Sequence, residues 1–144
     1  RFRNGLIEFF ALTKENFCGD YFIGGAKTDA GRNRVVPIPR VVLPLVKSIV
    51  DQCETPYLFP SKTGGQLTAS NFSRSYFPAI MEALGITRPM TPYSCRHTYA
   101  TMLKDVSAPL TDKSRLMGHT QFAMTAHYTH TDIDSLRRIT DELA

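Results

Sequence analysis

The chain has 144 residues, 42% of them hydrophobic and 21% charged, with nine Phe and six Tyr, which suits one folded domain with one core and excludes both a disordered chain and two ordinary domains. Lys and Arg outnumber Asp and Glu by 17 to 13, a formal net charge of +4, and this mild basic excess fits a nucleic-acid partner because cationic side chains release counterions from phosphates. No apolar run approaches the roughly 20 residues that cross a bilayer, and the opening Arg1-Phe2-Arg3-Asn4 is not a secretory signal.

In chain order, Ile7, Phe9, Phe10, Ala11 and Leu12 read as the tail of a helix or a short apolar segment. Tyr21-Phe22-Ile23 and Arg34-Val35-Val36-Pro37-Ile38 are strand-like, and the Gly-rich stretch from Gly24 to Gly31 between them makes the pair a β-hairpin. Pro37 and Pro39 suit a strand end, where no ladder donor is needed. Beyond Pro39, Val42, Leu45, Val46, Ile49 and Val50 share one face at helical spacing, with Pro44 in the first turn. Pro56 to Gln66 reads as a loop. Ser70 is the expected N-cap of a helix carrying Phe72, Tyr76, Phe77, Ile80, Met81 and Leu84, kinked near Pro78 and closed by Gly85. Thr91 caps the next helix, with Pro92 at its first position and an end near Lys104. Leu110 to Met117 is a short helix ended by Gly118, and Thr131 or Asp132 opens a last helix with Ile133, Leu136, Ile139 and Leu143 in one stripe. A small antiparallel sheet followed by at least four helices is an α+β class with helix dominant.

Cys18, Cys53 and Cys95 are odd in number and fit no zinc spacing, so reduced thiols in the cytoplasm are expected. The polar groups that make chemical sense together lie far apart in the chain. They are Thr91-Pro92-Tyr93-Ser94-Cys95-Arg96-His97-Thr98-Tyr99-Ala100-Thr101, then Leu116-Met117-Gly118-His119-Thr120, then His127-Tyr128-Thr129-His130, and the hairpin turn with Lys27.

This set resembles the tyrosine recombinase, or phage integrase, family, and is most similar to integrases of bacterial phages and conjugative transposons. The similarity runs from about Leu12 to Leu143 and includes the Lys27-Thr28 turn ahead of Arg32-Asn33-Arg34-Val35-Val36-Pro37-Ile38-Pro39. It implies a mostly helical α+β catalytic domain with a small antiparallel three-stranded sheet over residues 1–144, without the N-terminal DNA-binding domains of a full integrase. It further implies that Tyr128 is the nucleophile, Arg96 the second catalytic arginine, His119 the active-site histidine and Lys27 the acid that protonates the leaving group. Double-stranded DNA is the implied partner, in a homotetramer that exchanges the C-terminal segment, inside a bacterial cell and with no cofactor or metal.

The physics of each role agrees. A planar, permanently charged guanidinium can hold two non-bridging phosphate oxygens. A neutral tyrosine is a weak nucleophile and needs preorganised positive charge at its target, and a lysine on a turn can protonate the leaving 5′ oxygen. His97 and His130 read as neighbouring or packing residues. Arg32, Arg34 and Arg40 are placed to touch DNA backbone or to be solvated, and the last helical stripe is either core or a surface for another protomer.

Two positions depart from the family. Tyr93 stands where His or Lys is usual, three residues before Arg96; it serves either an active-site hydrogen bond or helix packing. The family's first arginine lies in Gly-x-Arg-x-x-Glu-Leu ahead of an Ala-Leu pair. Glu8-Phe9-Phe10-Ala11-Leu12 matches the second half, but the register puts Gly5 at the arginine, and Arg3 fits only if shifted. These departures leave open an alternative, a recombinase-like module that binds DNA with impaired catalysis.

Overall fold

The structure is a computed structural model that describes residues 2–24, 34–118 and 130–143. Helix α1 spans Phe2–Phe10 and a single 3₁₀ turn Lys14–Asn16 leads to strand β1, Tyr21–Gly24. Strand β2, Arg34–Pro37, pairs with β1 antiparallel, from Tyr21 opposite Pro37 at the base to Gly24 opposite Arg34 at the end nearer the connection. The sheet has two strands among the described residues, not the three expected. The chain before β1 adds only an isolated bridge, Phe17 to Phe22, because the 3₁₀ turn and Gly19, with φ of 87°, bend it out of the extended path a strand needs.

Helix α2 is Leu43–Gln52, with Pro44 in its first turn as the sequence requires. Its expected apolar face is narrower than the spacing suggested. Val46, Ile49 and Val50 are half-buried, whereas Val42 and Leu45 face solvent, Leu45 at 63% exposure. The next helical run starts two residues earlier than expected. Thr68, not Ser70, is the N-cap, and its hydroxyl accepts from the Asn71 amide at 3.1 Å. The run passes from α3, Ala69–Asn71, through a π-turn, Phe72–Tyr76, into α4, Phe77–Ala83. Pro78 explains the wider turn: it has no amide to give the carbonyl four residues back, so the run shifts to five-residue bonds such as Phe77 N–H to Phe72 O.

Helix α5, Pro92–Asp105, begins as expected, with the Thr91 amide donating to Ser94 Oγ at 3.2 Å and the Ser94 amide to the Thr91 carbonyl at 2.8 Å. Helix α6, Leu110–Met117, ends at Gly118 in the left-handed conformation. Helix α7 spans His130–Asp141, opening one residue before the expected start.

Apolar burial orders these elements around two clusters. Phe10 of α1 meets Phe72, with ring centroids 5.1 Å apart, and Phe72 in turn faces Phe77. On the other side Leu103 and Val106 meet Ile139 of α7, with Tyr99, Leu116, Met117 and Leu143 packed against them. The α7 stripe is thus core within this chain: Ile133, Leu136 and Ile139 are buried, each contributing about 1.5–3 kcal/mol by removal from water. None of the three cysteines is paired, and among the described residues no helix is long and apolar enough to cross a membrane.

Candidate active site

The N-terminal half of α5 presents Tyr93, Arg96 and His97 along one strip, as the i, i+3, i+4 spacing dictates. The Tyr93 ring meets the His97 ring edge-on at 4.4 Å, so Tyr93 takes part in helix-surface packing while keeping 38% of its surface exposed. Arg96 is exposed, and its Nη2 donates to the Met117 carbonyl at 2.9 Å. That bond joins residues 21 positions apart and satisfies one of the carbonyls that a helix end leaves without an internal partner. At the other end of the pair, Lys113 Nζ donates to the Lys104 carbonyl at 3.2 Å, in the last turn of α5. Two cation–carbonyl bonds therefore tie α6 alongside α5, and one of them comes from the arginine that the sequence marks for phosphate.

The C-terminal turn of α6 accepts a second arginine. A methyl group placed on Gly118 would collide with Arg34 Nη1 and lie 3.2 Å from its Cζ. Gly118 thus suits its φ of 68°, which side chains disfavour, and any side chain there would have to displace the flexible end of Arg34. Arg34 is half-buried, with the end of its guanidinium against Gly118, so it is not simply a solvated strand-end arginine. Burial raises the Tyr99 phenol above its usual pKa, and the nearby charge of Arg34 opposes that rise.

The base of the hairpin is held by α7. Arg137 forms ion pairs with Asp20 at 2.6 Å and with Asp134 at 2.8 Å. Asp141 accepts from the Arg40 amide at 2.7 Å and pairs with its guanidinium at 3.4 Å. Arg40, too, is engaged within the chain, although its side chain stays largely exposed.

Of the residues singled out from sequence, Arg96 and Tyr93 are placed by the structure, on one face of α5. Lys27, His119 and Tyr128 lie outside the described residues, as does Arg32. Their sequence neighbours are placed: Gly118 directly precedes His119, Tyr128 comes two positions before α7, and Lys27 belongs to the connection between β1 and β2. Arg3 and Gly5, the two positions competing for the first arginine, both fall within α1.

The chain matches the phage integrase family over residues 16–134, and it belongs to that family, the tyrosine recombinases. It is similar to tyrosine recombinase XerD of Vibrio vulnificus (strain YJ016), with 27% identity over 143 residues, covering 93% of this chain and 47% of that protein. It is 32% identical over 117 residues to a XerC-like tyrosine recombinase of Caldanaerobacter subterraneus, covering 67% of this chain and 28% of the relative. Tyrosine recombinase XerC of Oceanobacillus iheyensis is 34% identical over 84 residues, 58% of this chain and 27% of the relative. The chain spans about half the length of the first of these relatives, and less of the other two. No solved structure matches.

Proposed function

We propose that residues 1–144 form the catalytic domain of a site-specific DNA recombinase that cuts and rejoins strands through Tyr128. The observation that carries the reading is the bond from Arg96 to the Met117 carbonyl, which brings the proposed phosphate ligand next to the turn that leads into His119. An arginine bound to a carbonyl keeps its full charge and, with five donors, has others for a phosphate.

In this reading Tyr128 Oη attacks the scissile phosphorus and gives up its proton to solvent as the P–O bond forms. The bond to the 5′ oxygen breaks, and Lys27 supplies the proton that makes it a 5′ hydroxyl. Arg96 and His119 stabilise the charge that gathers on the non-bridging oxygens. A 5′ hydroxyl from a partner strand then attacks the 3′-phosphotyrosine and frees the tyrosine. Bond energy is conserved in the ester, so the reaction needs neither cofactor nor nucleotide. The working assembly is a homotetramer on double-stranded DNA, in which α7 exchanges between protomers and remakes its hairpin ion pairs in trans.

The test is covalent. Full-length protein incubated with a nicked duplex carrying its selected binding site should give an adduct that survives SDS, and Tyr128→Phe should abolish the adduct while DNA binding persists. An adduct at parental yield in Tyr128→Phe would exclude Tyr128 as nucleophile. Binding without any adduct in the parent would instead favour the impaired DNA-binding module that Tyr93 and Gly5 suggest.

A further inference from the structure

Resting on that reading, we infer that Arg34 is a second phosphate ligand of the site, sharing the scissile phosphodiester with Arg96 at the end of α6. Two guanidiniums from distant elements meet one turn there. Arg96 comes from α5 and donates to the Met117 carbonyl at 2.9 Å. Arg34 comes from β2, and its Nη1 lies against Gly118, the next residue. Consecutive Cα atoms are about 3.8 Å apart, so the two groups approach the same stretch of main chain.

Tyr99 supports the same convergence. It follows Arg96 by three residues on one face of α5, and the charge of Arg34 reaches its phenol, opposing the rise that burial causes. Arg34 therefore lies near the α5 face that carries Arg96 as well as against the end of α6. Like charges brought together repel, and neither the last turn of α6 nor the first two turns of α5 contains an acidic residue. The α6 C-terminus offsets only about half a charge. A bound phosphodiester would offset the rest, because its two non-bridging oxygens can each accept from a guanidinium. The half-burial of Arg34 has already removed part of its water, which strengthens its attraction for such an anion. A glycine, Gly5, stands at the register where the family resemblance expects the first arginine; Arg34 brings the same charge from β2.

Substrate charge separates a phosphate ligand from a packing residue. Replacing one non-bridging oxygen of the scissile phosphate by a methyl group gives a neutral methylphosphonate, on which a second cation has far less charge to stabilise. In single-turnover adduct formation by full-length protein, Arg34→Ala should slow the ordinary duplex by about 10²-fold or more, with Arg34→Lys recovering part of the loss. The ratio of the ordinary rate to the methylphosphonate rate should fall at least about tenfold below its parental value. Should Arg34→Ala fail to fold, Arg34→Gln, which keeps the side chain's length and loses its charge, is read in the same way. A parental rate on the ordinary duplex, an unchanged ratio, or no detectable cleavage of the methylphosphonate by the variant would overturn the role. A parental protein that forms no adduct with the ordinary duplex would remove the underlying reading and this inference with it, whereas an active parent with an unchanged ratio removes Arg34 alone.

Discussion

Gly118→Ala tests the seat of Arg34 by thermodynamics, independently of any DNA. Two costs are expected. An alanine at φ 68° and ψ 39° carries the left-handed penalty of about 1–2 kcal/mol. Its methyl also takes the space of Arg34 Nη1. Because that atom is the far end of a flexible side chain, the arginine should leave its seat instead of the backbone moving. The added cost is then the lost interaction of a cation with a helix C-terminus and its neighbours, about 1 kcal/mol. Gly118→Ala should thus destabilise the parent by roughly 2–3 kcal/mol but Arg34→Ala protein by only about 1–2 kcal/mol, the left-handed penalty alone. Urea unfolding of the four proteins measures the difference. A Gly118→Ala cost that agrees in the two backgrounds to within about 0.5 kcal/mol, the usual scatter of additive sites, would show that Arg34 does not occupy the glycine's space in solution.

Arg96→Ala should lower the adduct-forming rate by about 10²–10³-fold, as for loss of one preorganised donor to developing negative charge; Arg96→Lys, which keeps charge without the fork, should recover only part of it. Single-turnover cleavage reads both. Asp20→Asn should cost about 1–3 kcal/mol, because Arg137 is only 13% exposed and loses its closest carboxylate, whereas Asp134→Asn should cost under about 1 kcal/mol since that carboxylate is 58% exposed; urea midpoints compare them, and equal costs would contradict the burial argument. For Tyr99, burial lifts the folded-state pKa above its ordinary 10.0. The unfolded chain therefore loses its proton first, and the associated stability is intact below pH 10 and lost as pH rises through the folded value. Tyr99→Phe should flatten the alkaline fall in stability, and an unchanged slope above pH 10 would refute the effect.

Local signals with strong chemistry were legible in the sequence. Thr91-Pro92 at the start of α5 and Gly118 after α6 are stereochemical rules, and the structure puts both helix ends there. The α7 stripe was also legible, because Ile133, Leu136 and Ile139 keep their spacing against a core that accepts all three. Spacing failed at α2, where it reports a common face but not how much of that face a neighbour covers, so Val42 and Leu45 ended in solvent. The cap expected at Ser70 also moved, since Thr68, two residues earlier, carries a hydroxyl of the same capping chemistry and takes the Asn71 amide.

Arg34 was illegible for a different reason. A charged residue at a strand end is solvated by default, and nothing local marks it as the partner of a glycine at the end of a distant helix. Charge count alone was equally uninformative, because what matters is which cations are neutralised. Around α7 two of them are: Arg137 and Arg40 both pair with carboxylates, as Arg115 does with Asp112 on α6. At the junction of α5 and α6, Arg96 and Lys113 instead donate to main-chain carbonyls, which orient a cation without cancelling its charge. A carboxylate in either place would hold the side chain as well but would compete with a phosphate for it. Holding Arg96 by a helix-end carbonyl gives the proposed site a fixed guanidinium whose charge is still available to DNA, and the same turn receives Arg34 from the hairpin. The end of α6 is therefore the point at which helix placement, hairpin placement and local positive charge are set together, a role that its eight-residue length and ordinary composition do not reveal.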